Sequence, residues 1–109
     1  MKYELLFVPQ AEADVDSIVR FLATRSPQGA LAWCERWEKI LGELCDNPLQ
    51  HGLALESKAF DAEVRQVLFK TRRGRTYRAL FTVVGLGVYV IHVRGPGQKQ
   101  LRRNQMRRR

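Results

Sequence analysis

Between Gln10 and Cys45 the chain carries two helical patterns that meet at Ser26-Pro27 with no linker between them. That junction restricts the fold more than any other feature, because two helices joined so tightly must fold back on each other as a hairpin. In the first stretch Val15, Ile18, Val19 and Leu22 recur at the spacing of one helical face. Glu12, Asp14 and Asp16 load its early turns with negative charge and Arg25 closes it, both in keeping with the helix dipole. Ser26 then offers a capping hydroxyl ahead of Pro27, a residue suited to the first helical position. The second pattern runs to about Cys45. Leu31, Cys34, Trp37, Leu41 and Leu44 are expected to form its apolar stripe, with Trp33 also assigned to a core or interface, and Asp46-Asn47-Pro48 stops it.

Around this hairpin the remaining patterns are β-like. Tyr3 to Val8 reads as a strand closed by Pro9. Leu49 to about Ala62 shows no period and reads as an irregular connection. Strand patterns then follow at Glu63 to Lys70, Thr76 to Val84 and Val88 to Arg94. Their links, Arg72-Arg73-Gly74-Arg75 and Gly85-Leu86-Gly87, have hairpin length, with glycine where positive φ is expected. The predicted fold is α+β in the order β-α-α-β-β-β, with the N-terminal strand and the helical hairpin packed on an antiparallel meander. Residues 1–98 are expected to form a single domain, and 99–109 a basic tail that stays loose unless a partner orders it.

A chain of 109 residues builds a core without staples. Cys34 and Cys45 lie on one predicted helix, roughly 16 Å apart along its axis. They therefore cannot bridge each other, and neither has a second Cys or a His at zinc-ligand spacing. Apolar runs such as Leu5 to Val8 fall far short of the roughly 20 residues that span a bilayer. The opening Met1-Lys2-Tyr3-Glu4 lacks a signal-peptide core. No membrane association is expected, and the cytoplasm is the expected compartment.

Charge divides the chain. Residues 1–61 hold six basic and ten acidic side chains, a balance of −4, whereas 62–109 hold thirteen basic ones against Glu63 alone, a balance of +12; the sum is the net +8. Eleven of those thirteen are arginine, the side chain that forks onto phosphate or carboxylate. A polyanionic partner is expected, either nucleic acid or an acidic protein.

Arg65, Arg78 and Arg94 fall on three successive strands, and with Lys70 and the tip arginines Arg72, Arg73 and Arg75 they are expected to form one cationic surface. Arg78 stands inside Tyr77-Arg78-Ala79-Leu80-Phe81, where a charge is costly without work or a partner. His92 lies one alternation step from Arg94, hence on the same face, with a side chain suited to proton transfer near neutral pH. Tyr77 and Tyr89 have a choice between stacking on a base and packing into the core. The sequence has no phosphate-cradling loop, no nucleophile elbow and no acidic cluster for Mg²⁺, so no cofactor or metal is expected. The chemistry left open is metal-free RNA cleavage, in which a 2′-hydroxyl attacks the adjacent phosphorus and cations stabilise the phosphorane.

The order of elements, the Ser26-Pro27 junction, Asp46-Asn47-Pro48, the strand Val64-Arg65-Gln66-Val67-Leu68-Phe69-Lys70, the "RGRTYRALF" strand and the "VIHVR" strand together resemble the RelE/ParE superfamily of bacterial type II toxins. The resemblance covers residues 1 to about 98. It implies a growth-inhibiting toxin neutralised by a cognate antitoxin protein. The expected activity is that of the RelE branch, ribosome-dependent, metal-free mRNA cleavage that inhibits translation. By that resemblance Arg78 matches a central arginine that stabilises the phosphorane, Arg65 a basic position opening its strand, and His92 with Arg94 the position closing the last strand. Lys70, Arg72, Arg73, Arg75 and Tyr77 would then contact nucleic acid, with the ribosome and mRNA as partners. Two features depart from RelE: no tyrosine follows Tyr89, and Gly95-Pro96-Gly97 replaces a basic turn. The long helical hairpin is similar to the ParE branch, whose members poison DNA gyrase, and a non-catalytic binding protein on the same fold is the remaining alternative.

Overall fold

The computed structural model describes residues 2–59 and 62–96. Strand β1 (Glu4–Phe7) leads into α1 (Pro9–Arg25) and α2 (Pro27–Asp46). Two 3₁₀ turns follow, at Pro48–Gln50 and Leu55–Ala59, and then β2 (Arg65–Phe69), β3 (Tyr77–Val84) and β4 (Gly87–Arg94). The architecture is α+β as expected, with β2, β3 and β4 forming an antiparallel meander. The first strand joins the far side of this meander, parallel to β4, so that the sheet runs β1-β4-β3-β2. The expected tail over 99–109, and Gly97 within the sheet-ending segment, lie outside the described residues.

The hairpin is pinned at one residue. Ser26 ends α1 by donating its backbone N–H to the Leu22 carbonyl, 2.8 Å away. It also starts α2, its side-chain oxygen accepting from the Gly29 N–H at 3.0 Å. One residue thus satisfies backbone groups of two helix ends that would otherwise be orphaned.

On α2 the buried positions are Ala30, Trp33, Trp37, Ile40 and Leu44. Leu31, expected in the stripe, is instead 61% exposed. At about 100° per residue it stands roughly 200° around the helix from Trp33, so burying the larger indole turns Leu31 to solvent. The two indoles stack at 5.8 Å and meet Phe69 at 5.7 Å and 5.3 Å, and Phe7 packs edge-on against Trp37 at 6.3 Å. Cys34 and Cys45 are half-buried free thiols.

Of the three link glycines, Gly74, Gly85 and Gly87, only Gly85 has positive φ, +59°, in the two-residue turn between β3 and β4. At Gly74 the constraint is space, since a Cβ there would stand 2.2 Å from the Thr71 hydroxyl oxygen. Among the described residues no helix is long and apolar enough to cross a membrane.

Replacing Ser26 with Ala removes the side-chain cap of α2 and is expected to cost about 1 kcal/mol. Urea unfolding of the two proteins, with unchanged slope and a lower midpoint for Ser26→Ala, checks this.

Candidate functional site

Strand register decides which charged side chains meet. Arg78 pairs directly with Arg94 across β3 and β4, and Leu80 with His92 one step along. Cross-strand partners share a face, so Arg78, Arg94 and His92 lie together as the alternation implied. Arg65 does not join them. It pairs with Phe81, three residues from Arg78 along β3 in an unbroken register, which places it on the opposite face. There its guanidinium donates to the His51 carbonyl at 2.7 Å and to Glu63 at 3.2 Å. Burial, with Arg65 adding to it against an opposing pull from Glu43, holds His51 below its ordinary pKa.

The face opposite the helices is not bare. The connection after α2 bridges to the edge of β2 at Leu53 and Arg65, with Ala54 N–H donating to the Val64 carbonyl and Val64 N–H to the Ser57 hydroxyl. The Leu55–Ala59 turn presents Glu56, whose side chain is fully buried, to Arg78. Arg78 donates from Nη1 to Oε1 at 2.9 Å and from Nη2 to Oε2, and Nη1 also reaches Gln66 Oε1 at 3.2 Å. This is a two-pronged pairing of guanidinium and carboxylate. Among the described residues Arg94 forms no ion pair, and its buried Nε has no hydrogen-bond acceptor.

His92 is 3% exposed. Its Nδ1 lies 3.2 Å from Asp14 Oδ2, and the neighbouring Val93 N–H donates to the same oxygen at 3.0 Å. A register shift makes this contact feasible. Leu80 pairs with His92 but Phe81 with Val90, leaving Ile91 as an extra residue in β4. Asp14 thus ties α1 to the part of β4 that continues past β1. Burial disfavours ionisation of Asp14, but hydrogen bonds from His92, the Val93 N–H and Gln10 outweigh it and hold the carboxyl below its ordinary pKa.

The tip residues Lys70, Arg72, Arg73 and Arg75 are exposed, and none forms an ion pair among the described residues. Tyr77, expected beside them as a nucleic-acid contact, packs inward: it stacks on Phe69 at 5.9 Å and meets Trp33 edge-on at 5.6 Å. Burial, opposed by Arg75, raises its pKa. The nine anticipated residues therefore fall into an exposed tip, a row on one face, and two side chains turned toward the other face.

Sequence reasoning missed Glu56 and Asp14. The apolar setting of Arg78 signalled a need for a partner, but nothing in the spacing pointed to an acid 22 residues earlier. Among the described residues no group of three or more His, Cys, Asp or Glu side chains is placed to hold a metal ion. Comparison of the chain with protein-family models and with curated proteins returns no match.

Glu56→Ala strands the Arg78 charge in a largely buried site and is expected to cost about 3 kcal/mol or more. A Glu56→Leu/Arg78→Met double variant loses less than the two single changes summed, and a thermodynamic cycle from urea unfolding measures the coupling. For Asp14 the sign follows from a lowered folded-state pKa: its stabilisation is present above the unfolded carboxyl value near 4 and is lost as pH falls through the folded value. The stability gap between wild type and Asp14→Asn, measured at pH 7 and again near pH 3, is therefore expected to narrow in acid.

Proposed function

We propose that this chain is a cytoplasmic, growth-inhibiting toxin of the RelE/ParE type that acts by binding its target, in the manner of the gyrase-directed branch, and that a cognate antitoxin neutralises it. The observation that carries the binding mode is the engagement of Arg78 by the buried Glu56 carboxylate. A phosphorane-stabilising arginine needs its fork open to the phosphate, and here an internal acid holds it. His92 supports the same reading, because a general acid or base must reach the proton it moves and this imidazole is buried against Asp14. The exposed tip cations remain available to an anionic or acidic target.

Ribosome-dependent mRNA cleavage is the second reading. It is favoured by the direct opposition of Arg78 and Arg94, which brings two guanidinium groups to one place on the sheet. On that reading Glu56 must give way to a phosphate before the reaction.

Two assays on the purified chain separate these readings. With gyrase, ATP and supercoiled plasmid, the binding mode is expected to trap cleaved DNA, while primer extension on a message translated in vitro shows no new 5′ ends. New 5′ ends with untouched plasmid would replace it with the nuclease reading. Neither effect, together with unimpaired growth on induction, would leave a non-catalytic binding protein.

A further inference from the structure

On the sheet face away from the helices, Arg78 and Arg94 stand directly opposite each other, which brings their Cβ atoms to about 5 Å. Two cations so close favour an anion between them. The chain supplies one itself, because both oxygens of the buried Glu56 carboxylate are turned on Arg78. Arg94 is not part of this pairing: among the described residues it forms no ion pair, and its buried Nε lacks an acceptor. The Arg78 side chain is 22% exposed, so ions in solution reach it. Within the turn that carries Glu56, the large apolar side chain Leu55 is 64% exposed. Polar contacts fasten the turn instead, namely the Glu56 pair and the Val64 N–H donating to the Ser57 hydroxyl at 3.0 Å.

We infer that Glu56 is an autoinhibitory stand-in for a doubly charged phosphate group: its carboxylate occupies the Arg78 side of an oxyanion site that Arg94 completes, and inorganic phosphate or a phosphate monoester that takes its place releases the Leu55–Ala59 turn. The exchange trades one charge-assisted pairing on Arg78 for another of the same kind. It adds a gain on the second guanidinium, because such a phosphate group carries more charge and more acceptor oxygens than a carboxylate. It also returns the Glu56 carboxylate to water and so recovers the desolvation cost of burying it. Gln66, whose Oε1 accepts from Arg78 at 3.2 Å, stays on β2 and holds the guanidinium in place while the acids exchange. The competition rests on the Arg78–Arg94 opposition that favours the nuclease reading, but it is read as binding, so it stands or fails separately from message cleavage, gyrase trapping and growth arrest.

The test compares the full chain with Glu56→Gln, which keeps an acceptor for Arg78 but removes the charge. Calorimetry measures binding of inorganic phosphate and, separately, of uridine monophosphate at about pH 8, where the phosphate group is chiefly doubly charged, with chloride at equal ionic strength as the blank. The dinucleotide UpU, whose phosphate is a singly charged diester, serves as the comparison. Glu56→Gln is expected to bind the doubly charged group about tenfold or more tightly than wild type, the size of one charge-assisted contact, and Glu56→Gln/Arg94→Ala to lose that gain. A gain confined to inorganic phosphate assigns the free ion, and a gain with the nucleotide assigns a terminal phosphate. Glu63→Gln removes an equal charge from an exposed side chain and is expected to leave binding as in wild type. Should Glu56→Gln fail to fold, hydrogen exchange on the wild-type chain decides. Excess phosphate is expected to speed exchange of the Ser57 and Val64 amides, whose bonds hold the turn, while the amides pairing β3 with β4 stay slow. Equal affinity of wild type and Glu56→Gln, a gain that survives loss of Arg94 or is matched by Glu63→Gln, preference for the diester, or unchanged amide exchange would each overturn the proposal.

Discussion

Strands β1 and β2 follow one another in the fold's β order yet lie at opposite edges of the sheet. The chain between them must cross the whole sheet, and β1, being parallel to β4, cannot be joined to its neighbour by a tight turn. The helical hairpin satisfies this constraint by lying over one face, where Trp33 and Trp37 meet Phe7 and Phe69. The remaining connection returns to the edge of β2 and delivers Glu56 to the other face. One face is thereby dry and aromatic, and the other holds the charged row.

On that second face the energetics are delicate. Two guanidinium groups directly opposite one another across antiparallel strands repel, and the carboxylate on Arg78 reduces that repulsion. Burying the acid costs desolvation, which the two-pronged geometry and the added contact to Gln66 offset. Such a pair contributes little net stability compared with an apolar replacement. What it does fix is position: the Leu55–Ala59 turn has few periodic features of its own, and the ion pair holds it at one place on β3. Asp14 performs a similar task on the other side, joining α1 to β4 beyond the end of β1.

Local patterns made the elements legible. Period and punctuation located both helices to within a residue or two, and the meander followed from its short glycine-bearing links. Other features depend on contacts between distant parts of the chain and left no local trace. The face of Arg65 is set by which residue of β3 it opposes, a register that composition does not encode. The face of α2 is set by competition between Trp33 and Leu31 for the interior, which only the packed sheet decides. Glu56 and Asp14 reach their partners across 22 and 78 positions respectively, far outside any helical or strand repeat. The extra residue Ile91 in β4 is invisible in an alternating strand pattern, although it sets which side chains accompany His92.

The charge asymmetry of the sequence takes on a different meaning once the side chains are placed. Residues 62–109 carry a balance of +12, but a guanidinium locked to an acid acts mainly at short range, whereas exposed unpaired ones set the field that a partner meets from a distance. Arg78 and Arg65 belong to the first kind, and Lys70, Arg72, Arg73 and Arg75 at the tip to the second. The tip cations therefore set the long-range field at one end of the sheet, while the paired arginines act at short range within the fold and hold its connections in place.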